Sequence, residues 1–187
     1  ASENVSDYMY LGQKEYLDVL GAYDWLLEEK SYPSSSIGIL GISTGALTTA
    51  LAFGESEIQA MWLDSAIIDF PLLVENELER LGYPKMLASP AIAMGERIIG
   101  INPNEVPPMT AASKAGERPM YLAHGEDDGR ISPLHSQMFY DRALASDANV
   151  TLWMIEDSGH VDAVWENPEY QGRLVSFFTD ALAWNSS

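Results

Sequence analysis

Residues 37–50 read Ile-Gly-Ile-Leu-Gly-Ile-Ser-Thr-Gly-Ala-Leu-Thr-Thr-Ala, and no other stretch of this chain restricts its fold as tightly. A β-branched, apolar run enters Gly-x-Ser-x-Gly, and good helix formers follow. That order describes a strand, a very tight turn and a helix, with Ser43 at the apex. A serine on a strained strand-to-helix turn draws neighbouring backbone close, so glycine is expected on steric grounds at both Gly41 and Gly45. Such an elbow lifts Ser43 Oγ clear of a sheet and points the first amides of the following helix at the same spot.

The rest of the chain supplies matching pieces. After the strand at 37–42, further strands are expected at 58–63, 119–124 and 150–155. Helices are expected at about 13–30, from the elbow to about Phe53, at 134–145 and at 168–182. The first carries the stripe Tyr16, Leu17, Leu20, Tyr23, Leu26 and Leu27, and the last Tyr170, Leu174, Phe177, Phe178 and Ala181. Segment 67–118 is mostly helical in pattern, broken at Gly82-Tyr83-Pro84 and Asn102-Pro103-Asn104. Strands alternating with helices imply an α/β fold, a parallel sheet with helices on both faces, formed by 1–187 as a single domain. In such a sheet chemistry gathers beyond the carboxyl ends of the strands. Three polar turns fall there: Ser43 after the first strand, Asp127-Asp128 after the third and His160 after the fourth.

Charge narrows the choice of partner. A net charge of −18 opposes nucleic acid and anionic membrane, both polyanions, and no stretch approaches a membrane-spanning run. With no cysteine, disulfides, a thiol nucleophile and a Cys-based zinc site are excluded. The polar, acidic start carries no signal-peptide pattern; the compartment stays unassigned, with the cytoplasm favoured. Neither a cofactor nor a metal is expected. His124 reads as a structural strand-end residue, His135 as a helix-surface residue, and Asp157 and Asp162 as loop charge. Methionine and tryptophan are expected mostly in the core.

Serine needs an adjacent base, and the base an anionic partner that fixes its tautomer. The chain offers Ser43, then an acid, then His160, in the order Ser…Asp…His. On position alone Glu126, Asp127 and Asp128 compete for the acid.

Gly41-Ile42-Ser43-Thr44-Gly45, His124-Gly125-Glu126-Asp127-Asp128-Gly129-Arg130-Ile131 and Ser158-Gly159-His160 resemble three signatures of the α/β-hydrolase superfamily. The second is similar to the His-Gly-x-x-Asp-x-x-Val turn of its prolyl-oligopeptidase-like and serine-aminopeptidase-like branches. The resemblance implies Asp128 as the acid, His160 as the base, Ser43 as the nucleophile and the Thr44 backbone N–H as an oxyanion donor. It implies a serine hydrolase acting on a carboxylic ester through an acyl-enzyme, with amide or peptide cleavage as the alternative. An acyltransferase, or a non-catalytic half-domain that needs a partner segment, are the rival readings. Segment 67–118 falls where the family inserts cap elements, and its apolar Ile68, Phe70, Leu72, Leu73, Met86, Ile92 and Met94 would suit an apolar acyl group.

The family fold has about eight strands, and this chain matches only the last four, so the fold is expected to lack its N-terminal strands. The strand at 37–42 then becomes a sheet edge, open to a second copy or to a complementing N-terminal segment. A chain that starts in mid-pattern is expected to be part of a longer enzyme. The loop that supplies the family's second oxyanion donor would lie upstream.

Overall fold

The computed structural model describes residue 10 and residues 12–100 and 108–182. Four strands, β1 (Gly38–Ile42), β2 (Ala60–Asp64), β3 (Met120–Gly125) and β4 (Val150–Ile155), lie side by side in chain order and are all parallel. Helix α1 (Tyr16–Glu28) precedes β1, and α2 (Thr44–Gly54) follows it directly. Between β2 and β3 come α3 (Phe70–Arg80), a short 3-10 turn, α4 (Ala88–Ile99) and α5 (Met109–Lys114). Helix α6 (Leu134–Leu144) links β3 to β4, and α7 (Ala163–Glu166) and α8 (Tyr170–Ala181) follow β4. The α/β alternation read from the sequence is therefore the fold. The break at Asn102-Pro103-Asn104 lies outside the described residues.

Successive side chains of a strand point to opposite faces, and the two faces bury different cores. On one face Met61, Leu63, Met120 and Leu122 pack with Ala46, Ala50 and Phe53 of α2, Ala111 of α5 and Phe139 of α6. On the other, Trp62, Tyr121 and Ala123 meet α8 through Tyr170, Leu174 and Phe177. There the Trp62 and Tyr121 rings stack 4.1 Å apart, and Phe177 presents its edge to both. With both faces covered, β2 and β3 are buried along their whole length, which is why they read as continuous apolar runs.

Two corrections have physical causes. β2 runs on to Asp64, because the buried carboxylate accepts from Tyr170 Oη at 2.7 Å and Ser65 Oγ at 3.0 Å. Trp62 Nε1–H donates to the same Tyr170 oxygen at 3.0 Å, so α8 is tied to β2 by polar groups as well as by rings. Nor are methionine and tryptophan uniformly internal: Trp25, Met86, Met94 and Trp165 are exposed. Met86 and Met94 belong to the α3–α4 region, which touches the core mainly through Leu73 against Leu47, Leu51, Ile67 and Ile131.

Arg118 fixes the approach to β3. Its guanidinium donates to the carbonyls of Phe53, Ser56 and Ile58 at 3.2, 2.8 and 2.9 Å and lies 4.1 Å above the Phe53 ring. One cation thus satisfies the carbonyls at the end of α2 and joins them to α5.

Among the described residues β1 forms one edge of the sheet and β4 the other. The Ser43 N–H donates to Asp64 and the Ile37 carbonyl accepts from Gln59. Backbone groups alternate along a strand, so those of Gly38, Leu40 and Ile42 face the open side.

Candidate active site

The β1–α2 junction is the tight turn expected from its composition. Ser43 has φ 55° and ψ −122°, a conformation that costs a non-glycine residue about 1–3 kcal/mol. A Cβ on Gly41 would stand 2.5 Å from the Gly45 carbonyl oxygen and 2.7 Å from Ala46 Cα, so glycine is required there. Gly45 is different: among the described residues nothing lies within 4 Å of a Cβ placed on it. The steric requirement expected of both glycines holds for Gly41 alone, because only the strand side of the turn is crowded. Thr44 opens α2, so its N–H has no partner within the helix and lies beside Ser43.

Crossovers bring the other two polar turns to Ser43. His160 Nε2 is 3.0 Å from Ser43 Oγ, and His160 Nδ1 is 2.8 Å from Asp128 Oδ2. The ionised carboxylate can only accept, so Nδ1 carries the proton and Nε2 is left to accept from the serine hydroxyl. Asp128 Oδ1 accepts from the backbone N–H groups of Arg130 and Ile131 at 2.9 and 2.8 Å. Burial raises the Asp128 pKa, but hydrogen bonds from His124, His160, Ile131 and Arg130 outweigh it and hold the group well below the usual carboxylate range. Asp127 and Glu126, the competing acids, are exposed.

The acid turn and the base loop are clamped backbone to backbone. Glu126 N–H donates to Ile155, and Asp127 N–H to Ser158. This approach needs Gly125: a Cβ there would lie 2.5 Å from the Gly159 carbonyl oxygen and 2.7 Å from the Ser158 carbonyl carbon. Two left-handed residues shape the base loop, Asp157 at φ 53° and Val161 at φ 65°. For β-branched Val161, directly after His160, this is a genuine outlier. Nothing in the sequence signals it.

The remaining histidines are more involved than their sequence positions suggest. His124 is wholly buried, its Nε2 being 2.9 Å from the Ile131 carbonyl oxygen and 3.3 Å from Asp128 Oδ2. His135 is not on the surface but wholly buried, and its Nδ1 accepts from the backbone N–H groups of Ile68 and Asp69 at 3.3 and 3.2 Å. The segment leading into α3 covers this face of α6, which helical periodicity alone does not reveal. Burial pushes the His135 pKa down to about 4, so it stays neutral. Among the described residues no group of three or more His, Asp or Glu is arranged to hold a metal ion.

Solved structures share this arrangement of elements. The chain is similar to esterase Pf2001 of Pyrococcus furiosus, at 26% identity and a TM-score of 0.74, covering 95% of this chain and 66% of that one. It is similar to the acylaminoacyl peptidase of Pyrococcus horikoshii, at 23% identity and a TM-score of 0.68, with 92% and 28% covered. Dipeptidyl peptidase 4 of Porphyromonas gingivalis gives 19% identity and a TM-score of 0.68, with 94% and 24% covered. The chain thus spans just under two thirds of the esterase and about a quarter of each peptidase. No curated protein matches it. The family model of the prolyl oligopeptidases matches residues 6–184, and with that span of the sequence the chain belongs to the prolyl oligopeptidase family.

Proposed function

We propose that this chain carries the catalytic machinery of a serine hydrolase that cleaves carboxylic esters through an acyl-enzyme. One observation carries the reading: Ser43 Oγ, the His160 ring and Asp128 form an unbroken line of hydrogen bonds at 3.0 and 2.8 Å. Ser43 Oγ attacks the ester carbonyl while its proton passes to His160 Nε2. The developing imidazolium is stabilised by Asp128 through Nδ1–H. The Thr44 N–H donates to the oxyanion, a contact of a kind worth about 2.7–4 kcal/mol in the transition state. As the carbon–oxygen bond to the alcohol breaks, His160 returns the proton to the leaving alkoxide. Water then attacks the acyl carbon while giving a proton to the same nitrogen, and as the bond to Ser43 Oγ breaks, His160 returns that proton to the serine and the acid leaves.

Amide or peptide cleavage is the second reading, supported by family membership and by the likeness to an acylaminoacyl peptidase. We assign the segment 67–118 to the rim of the acyl or leaving-group pocket. The second oxyanion donor comes, in this reading, from outside the described residues. The open edge of β1 pairs with a preceding segment or with a second copy. Parallel assays with p-nitrophenyl esters and matched p-nitroanilides test the reading. Faster turnover of the ester, abolished by Ser43→Ala and lowered about 10⁴-fold in kcat by Asp128→Asn, is expected. Exclusive anilide turnover would move the assignment to amidase, and turnover that survives Ser43→Ala would end it.

A further inference from the structure

Asp128 serves two histidines, and only one of them reaches the nucleophile. His124, on β3, lies between the acid turn and Ser136 of α6, with no side-chain exposure. Its Nε2 faces two acceptors, the Ile131 carbonyl oxygen at 2.9 Å and Asp128 Oδ2 at 3.3 Å, so Nε2 carries the proton. Its Nδ1 sits 2.7 Å from Ser136 Oγ. Asp128 Oδ2 is also the oxygen that takes the Nδ1–H of His160 at 2.8 Å.

We infer that His124 is a positioning residue for the reaction: its Nε2–H holds Asp128 Oδ2 in line with His160 and draws on that oxygen's charge, making His160 a weaker base than Asp128 alone would. A carboxylate oxygen shared between two donors gives less to each. A less basic His160 stays neutral to lower pH, which keeps more of the resting protein ready to take the serine proton. The inference rests on the roles proposed for Ser43, Asp128 and His160.

Other ionisable groups face this cluster. His135 from α6, with Asp69 beyond it, acts on His124 and Asp128, and Asp64 from β2 acts on both His124 and His160. None of them changes in the variants below. With three histidines in the chain, imidazole NMR can follow each ring through a pH titration of the full chain. His124→Gln keeps an amide nitrogen near the place of Nε2. His124→Asn reaches only the place of Nδ1, toward Ser136.

The expected result is a His160 titration within about 0.2 pH unit of wild type for His124→Gln, and raised by roughly half a unit for His124→Asn. The acid limb of kcat/KM should move with it. Equal titrations in both variants, whether shifted or not, would overturn the inference. So would failure of both variants to fold, which would make His124 a residue of the fold alone. Because the titration is read in the resting protein, a shifted His160 in a chain without turnover refutes the hydrolase reading and upholds the coupling. Normal turnover with an unmoved titration does the reverse.

Discussion

Replacing Gly125 by alanine should disable the site without touching any group that reacts. Gly125 ends β3, and a Cβ there would meet the backbone of the loop that carries His160. Real Cβ atoms essentially never come within 3.0 Å of such atoms, yet the Gly159 carbonyl oxygen would stand at 2.5 Å. The loop therefore has to retreat by about half an ångström or more, and no flexible side chain is available to give way instead. That movement occurs one residue before His160 and pulls its ring from Ser43 Oγ and Asp128 Oδ2. A misplacement of about 1 Å at a reacting group costs on the order of 100-fold, so a loss of roughly 10- to 100-fold in kcat/KM is expected. Overpacking of this kind also destabilises by about 1–3 kcal/mol, a fall in Tm of roughly 3–10 °C for a chain of this size. Gly129, in the same turn, is the control, because among the described residues nothing lies within 4 Å of a Cβ placed on it. Ester hydrolysis and thermal unfolding by circular dichroism, run on both variants, decide the matter. Gly125→Ala within twofold of wild type, or Gly129→Ala equally impaired, would refute the steric reasoning.

Two further outcomes follow from buried polar groups. His135 takes a proton near pH 6.5 when unfolded but only near about 4 when folded, so the unfolded state binds more protons between these values and stability falls as the pH drops. Over that window wild type should lose up to about 3 kcal/mol more than His135→Asn in urea unfolding, and parallel curves for the two would contradict this. Tyr170→Phe leaves Asp64 Oδ2 without its phenol donor and Trp62 Nε1 without its acceptor, and should cost about 2–3 kcal/mol by the same method. A loss below about 0.5 kcal/mol would mean that the Trp62–Tyr170–Asp64 chain carries no stability.

Local signals made the strands and the turns after them readable. Ser43 sits between a β-branched run and a run of helix formers, and Val150–Ile155 is a six-residue strand, apolar but for Thr151, bounded by polar turns. Once parallel crossovers are granted, the placing of Ser43, Asp128 and His160 on one rim follows from their positions after β1, β3 and β4. What escaped depends on contacts between segments distant in sequence. Burial of His135 requires residues 67–69 to lie over α6, and the need for glycine at Gly125 arises only when the loop at 158–159 closes against β3. The left-handed Val161 contradicts its own residue preference, so no local signal announces it. Gly45 erred the other way: the motif suggested crowding where the described chain leaves space.

Reaction with a fluorophosphonate, followed by mass spectrometry of the digested protein, asks most directly whether Ser43 is an activated nucleophile. A serine paired with a neutral His160 at 3.0 Å should form the phosphonyl adduct on the peptide containing Ser43, and both Ser43→Ala and prior denaturation should abolish it. A folded chain that stays unlabelled at every pH tried, or one labelled at another residue, would contradict the assignment of Ser43.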